Sequence, residues 1–155
     1  MRKLALCLAL GSAVALSPLA TAHFNDKEIP QSYRQSYFAL VAGNFGGLAA
    51  MLKGDMPWSD ELAASFASDL DDLADMDIMR AFGPGSDKGT TRAKPEIWEN
   101  MDDFRQQMAD MQSAIGDIED AVEAGDRKAI GAAVGAAGKT CESCHEDYKS
   151  KNYLY

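Results

Sequence analysis

An all-α fold, four helices arranged up-down-up-down in an antiparallel bundle, follows from three observations. Apolar residues recur at three- and four-residue spacings through most of the chain beyond residue 22. No run alternates apolar with polar residues as a half-buried strand would. The helical stretches are joined by mostly short connections, which places sequential helices side by side and antiparallel.

The first predicted helix runs from about Asp26 to Lys53, with Tyr33, Tyr37, Val41, Phe45, Leu48 and Leu52 along one stripe. The second begins after Pro57, with Ser59 as its N-cap and Asp60 and Glu61 at the positive end of the helix dipole. Its stripe is Leu62, Phe66, Leu70, Leu73 and Met76. The third opens on Pro95 and carries Ile97, Met101, Phe104, Met108, Met111, Ile115, Ile118 and Val122, spaced alternately by four and three. That spacing is the seam of helices packed with a left-handed twist. Gly125 ends this helix and Asp126 caps the fourth, whose stripe is Ile130, Val134, Ala137, Cys141, Cys144 and Tyr148. The exception among the connections is the segment from Ile78 to Lys94, which contains Ala81-Phe82-Gly83-Pro84-Gly85. A connection of that length is functional or disordered.

The chemistry of the chain is concentrated at Cys141-Glu142-Ser143-Cys144-His145. This is C-x-x-C-H, the attachment signature of a c-type haem. Cysteines three apart lie about one helical turn from each other on one face, so both thiols reach the vinyl groups along a haem edge. His145, next to Cys144, supplies an axial nitrogen ligand to the iron. Other readings fail on the residues present. Structural zinc takes about four Cys or His ligands, and outside the motif the sequence has only Cys7 and His23. A redox pair of the thioredoxin kind sits in a βαβ context, and a plain disulfide leaves His145 without a role. The haem is therefore expected inside the bundle near one end, against the fourth helix. The small residues Gly131, Ala132, Ala133, Gly135, Ala136, Ala137 and Gly138 are a poor choice for helix stability and make room for a flat macrocycle. The Ile78–Lys94 loop is expected to act as a lid over the haem edge.

At the other end, Arg2 and Lys3, the apolar run Leu4–Leu16 and Ala20-Thr21-Ala22 have the form of a secretory signal. Residues 1–22 are read as a cleaved signal peptide and 23–155 as one domain, exported to the periplasm, with His23 first. The apolar run is too short to span a bilayer, and Cys7 lies within it, so no membrane anchor is expected. Loss of Arg2 and Lys3 leaves 13 basic against 24 acidic residues, a net charge of −11. Such a surface argues against nucleic acid and anionic membranes as partners.

These residues together resemble the cytochromes c′. The resemblance covers essentially the whole segment after the signal. It is carried by Tyr33-Arg34-Gln35-Ser36, Ala81-Phe82-Gly83-Pro84-Gly85, Lys94-Pro95-Glu96-Ile97-Trp98, and the C-terminal Cys141-x-x-Cys144-His145 followed by Tyr148-Lys149. It implies haem c, one per chain, attached through Cys141 and Cys144, with His145 as the proximal ligand of a pentacoordinate iron in a homodimer. It places Phe38, one turn after Arg34, over the distal position. Arg34 and Gln35 match residues that contact the haem, Arg34 by pairing with a propionate. Thr91 or Arg92 is the candidate for a second propionate contact, in a loop that departs from the family in length and charge. Phe82, Trp98 and Tyr148 are expected to pack at the haem, and Lys149 to act behind His145.

The function this implies is capture of diatomic gases, nitric oxide and carbon monoxide, in buffering, transport or detoxification. A phenyl ring at Phe38 donates no electrons to iron and offers no hydrogen bond to dioxygen. The alternative is a periplasmic electron-transfer cytochrome serving a redox partner protein. An enzyme is not expected, since no distal His and Arg pair is visible to polarise a peroxide. The methionines on the second and third stripes are read as core.

Overall fold

The computed structural model describes residues 28–154. The predicted signal segment, Cys7, His23 and the predicted helix start at Asp26 lie outside them. In chain order the elements are α1 (Ile29–Lys53), α2 (Asp60–Ala74), a 3-10 turn (Ile78–Phe82), β1 (Thr91–Ala93), α3 (Glu96–Glu99), α4 (Met101–Glu123), α5 (Arg127–Tyr148) and β2 (Lys149–Leu154). The four long helices α1, α2, α4 and α5 make the antiparallel bundle, each packed on the next in sequence.

Helix ends follow local chemistry. Pro30 sits in the first turn of α1, where its missing N–H is not needed. Gly54 closes that helix at φ 79°, a left-handed conformation that suits glycine. The Ser59 hydroxyl accepts from Leu62 N at 3.2 Å and starts α2. Gly125, at φ 71°, turns the chain after α4, and the Asp126 carboxylate accepts from Lys128 N at 2.9 Å and Ala129 N at 3.3 Å to start α5. The centre of the core is Leu48, Leu70, Ile97, Ile115, Ile118 and Ile130.

Four expectations are corrected. The buried face of α2 is Ala63, Ala67, Leu70 and Ala74, so the helix is turned about one residue from the predicted stripe and Leu62 is exposed. Phe66 explains the rotation. Its ring lies over Gly47 of α1, where a Cβ would overlap it, so the two helices meet through a glycine and small alanines. The single third helix is two: the chain leaves helical geometry at Asn100 (φ −124°, ψ 44°), between α3 and α4. The predicted seam survives the break, with Ile97, Phe104, Met108, Met111, Ile115 and Ile118 buried. The chain also holds strands, β1 and β2, paired antiparallel with Thr91 opposite Leu154 and Ala93 opposite Lys149. Three residues facing six leave a bulge; β1 is too short to show a two-residue period, and β2 shows none because its residues do not alternate between buried and exposed. Finally, of the small residues before the haem motif only Gly138 lines the cavity described below. Ala137 is wholly buried in the core, and Gly131 faces Leu52 across the α1–α5 contact.

Candidate haem-binding site

Near the C-terminal end of α5 the bundle opens into a cavity of about 530 Å³, mostly apolar, within the usual size of a cofactor pocket. Helix α5 lines it with Gly138, Cys141, Cys144, His145 and Tyr148, and α1 with Arg34, Gln35, Phe38, Val41 and Phe45. Phe82, Thr91 and Arg92 come from the long loop and β1, and Lys149 begins β2. Ten of the eleven predicted site residues thus meet in one cavity. Trp98 does not reach its wall. It stands behind Phe82, ring centroids 6.2 Å apart, and donates its indole N–H to Phe82 O at 3.0 Å.

The α5 residues arrive there because the helix runs unbroken from Arg127 through the motif to Tyr148. Positions three and four apart share a face. Both cysteines are free thiols, half-buried. Burial pushes the Cys141 thiol up, and burial with the neighbouring Cys141 pushes Cys144 up to about 11. These are protonated sulfurs in an apolar wall, the reverse of the depressed thiolate a disulfide oxidoreductase uses. His145 is held below its ordinary value by burial first, then by Lys149 and Arg92. A neutral imidazole keeps a lone pair for a metal.

Arg34 supplies the other end of the site. It is 4% exposed, and its guanidinium donates to Ala81 O at 2.8 Å, Ser86 O at 2.9 Å and Thr91 Oγ1 at 3.2 Å. Phe82 and Trp98 flank it at 4.9 and 5.7 Å. Burial lowers its pKa to about 10, so it stays a cation at neutral pH. All three acceptors are neutral, and among the described residues no carboxylate bonds it. Asp87 is near enough to favour the charge but does not bond it. An apolar cavity with a buried cation free of any carboxylate bond at one edge, and two thiols and an imidazole along another, fits a macrocycle that carries carboxylates. The same three bonds fix the long loop, helped by Gln35, which donates to Thr90 O at 3.0 Å, and by Glu28, which accepts from Thr90 N at 2.7 Å. The loop expected to be a lid is a pinned wall. Arg34→Ala strands three buried acceptors, and the expected loss is about 3 kcal/mol in urea unfolding.

Aromatic side chains carry the wall between these ends. Phe82 meets Phe104 at 4.7 Å and Phe104 meets Tyr148 at 5.2 Å, both edge-on. The Tyr148 hydroxyl donates to Asp103. That bond raises Tyr148 from 10.0 to about 12, and burial raises Tyr37 by the same amount. Folded-state values above unfolded ones mean stability that is complete below pH 10 and lost as pH climbs through 12. The urea midpoint should fall over that window, and Tyr148→Phe should flatten part of the fall.

Sequence reasoning missed several wall residues. Val41, Phe45, Met108 and Met111 were assigned to stripes facing the core; they do, and the same stripe opens on the cavity. No periodicity separates core from pocket wall when both are apolar. Tyr153, in β2, also lines the cavity, and its signal was the apolar run Tyr153-Leu154-Tyr155 after the polar Lys149-Ser150-Lys151-Asn152.

Comparison with known proteins agrees with this geometry. A family model described as Cytochrome C′ matches residues 30–149. Cytochrome c′ of Cereibacter sphaeroides is 40% identical over 145 residues, covering 92% of this chain and 96% of the relative. Among solved structures, cytochrome c prime from Shewanella frigidimarina superposes with a TM-score of 0.77 at 34% identity, covering 83% of this chain and 99% of the other. A nitric oxide complex of the L16A mutant of cytochrome c prime from Alcaligenes xylosoxidans superposes at 0.75 with 33% identity, covering 83% and 99%. Proteins of this family carry covalently attached haem c, the group that the thiols, imidazole and buried cation of this cavity fit. Bundle, cavity and match agree over the same residues, and the chain belongs to the cytochrome c′ family.

Proposed function

We propose that this protein is a periplasmic binder of nitric oxide and carbon monoxide, with a pentacoordinate haem c held through Cys141 and Cys144 and ligated by His145. The observation that carries the reading is Phe38. It lines the cavity from α1 while His145 lines it from α5, and its ring has no lone pair to offer a metal. The solved nitric oxide complex of a relative supports the choice of ligand.

When bound, the haem supplies an iron with one open coordination position. The rest is the work of the chain. His145, neutral, offers its lone pair from the α5 side. Cys141 and Cys144 tether the group in thioether linkage, so it stays in place even if His145 lets go. Phe38 fills space, excludes water and gives no hydrogen bond to a bound gas, which disfavours dioxygen. Arg34, already fixed by the loop, keeps its charge beside the carboxylates. His145 is the one histidine among the described residues, so none of them puts an imidazole on the Phe38 side to move a proton, and we read the protein as a binder. No described helix is long and apolar enough to cross a membrane. Export rests on the N-terminal signal. We assign a homodimer to the outer face of α1, where Leu40 is 56% exposed beside the exposed Gly43.

Optical and paramagnetic resonance spectra of the ferric and ferrous holoprotein, before and after nitric oxide, test this. High-spin iron that takes up the gas supports it. A low-spin, six-coordinate spectrum without added ligand would make electron transfer the function instead.

A further inference from the structure

The family match ends at residue 149, yet the chain continues as β2, and this strand returns to the cavity. It leaves α5 one turn after His145 and is tied to the segment around β1. Arg92 Nε donates to Ser150 O at 2.8 Å and Lys94 N to Tyr148 O at 3.0 Å. Lys94 Nζ donates to Glu146 O at 2.8 Å and Asp147 O at 2.9 Å. The last turn of α5 and the start of β2 are therefore held as one piece. Beyond them the bulge in the ladder carries the chain around to Tyr153, whose ring lines the cavity together with Lys149 and Arg92 although the residue is 47% exposed. Nothing in the bundle core needs that ring.

His145 gives the strand a purpose. A metal-bound histidine is usually oriented by a hydrogen bond from its second nitrogen to a carboxylate, carbonyl or water. Among the described residues none bonds this imidazole, and His145 is exposed, so within the bundle nothing fixes its orientation. We propose that β2 is a strap over the His145 side of the haem cavity and Tyr153 its positioning residue. The strap occupies the space into which the imidazole would withdraw, and so keeps His145 on the iron and an added gas on the Phe38 side. The proposal rests on the gas-binding reading for its consequence, and on geometry alone for the strap.

The test compares four holoproteins: the full chain, Tyr153→Ala, Tyr153→Phe, and a chain ended after Ser150. In the ferrous state without gas, the iron–histidine stretching band in resonance Raman reports the hold on His145. Hydrogen exchange at Arg92, Ala93 and Lys149 reports the strap itself. With nitric oxide added, the fraction of complex that has released His145 is read from the paramagnetic resonance spectrum, and carbon monoxide association serves as the control. Tyr153→Ala and the shortened chain should broaden or lower the Raman band. They should also raise the released fraction about threefold to tenfold, the worth of an aromatic contact. Carbon monoxide association should stay within about twofold, as for an independent site. Tyr153→Phe should behave as the full chain, because the ring rather than the hydroxyl acts. An unchanged band in all four proteins overturns the strap. Should the full chain bind no gas, the binding reading falls while the Raman band still decides the strap.

Discussion

The double replacement Cys141→Ala/Cys144→Ala is expected to give a protein that surrenders its haem to acidified solvent and, once emptied, loses its cooperative unfolding transition. The first half follows from the thioethers. With both sulfurs gone only His145 and packing hold the group, and neither survives denaturation. The second half is a question of magnitude. At roughly 24 cal/mol for each Å³ left unfilled, a cavity of about 530 Å³ costs on the order of 10 kcal/mol. A domain of this size has about 5–15 kcal/mol of stability in all. Part of the cavity is open to solvent and fills with water, which lowers the cost, but the two figures remain comparable. Helices α1 and α5 meet mainly across this space, so they should separate first, leaving helical signal without fixed tertiary packing. Single replacements keep one thioether and should retain haem through extraction. Retention by the double variant, or a sharp urea transition in its emptied form, would show that attachment or the cavity has been misread.

How much of this could be read from residues alone depended on whether the signal was local. The motif Cys141-x-x-Cys144-His145 fixed the cofactor because its chemistry needs three residue types at one spacing. The caps at Ser59 and Asp126 and the turn at Gly125 were legible for the same reason: each is decided within a few residues. The face of α2 was not. Leu62 and Phe66 look like core on a helical wheel, but the actual face is set by a partner on another helix, the Gly47 gap that receives the Phe66 ring. The break at Asn100 was hidden because the apolar seam runs through it undisturbed. Arg34 was expected at a propionate. Its bonds to Ala81, Ser86 and Thr91 could not be foreseen, since they depend on how a long loop folds back. The strand pair was invisible because it exists only through pairing: three residues and six, far apart in sequence, neither with a pattern of its own.

Replacing Phe38 should have the largest effect on ligand binding itself, and two substitutions pull in opposite directions. Phe38 is half-buried, with its ring edge-on to Tyr37 at 5.1 Å and 83°. If it must swing aside for a gas to enter, the cost of moving it is part of the association barrier, and each ~1.4 kcal/mol of that cost slows entry about tenfold. Edge-on aromatic contact and partial burial together are worth about 1–3 kcal/mol. Phe38→Ala should therefore speed carbon monoxide association about tenfold to a hundredfold, while stability falls by only about 1–2 kcal/mol because part of the ring already faces solvent. Phe38→Met keeps the volume but puts a soft sulfur donor where the phenyl ring was. It should turn the resting spectrum low-spin and make carbon monoxide wait for the sulfur to leave. The pair separates the two roles assigned to the side chain, steric cover and electronic neutrality. Stopped-flow or flash-photolysis rates with the resting spectra of both variants provide the measurement. An unchanged association rate in Phe38→Ala would place the barrier elsewhere, with Val41 and Phe45 the next residues along the same helical wall. A Phe38→Met protein that stays high-spin would mean that position 38 does not face the iron, and the case for an open sixth site would lose the residue on which it stands.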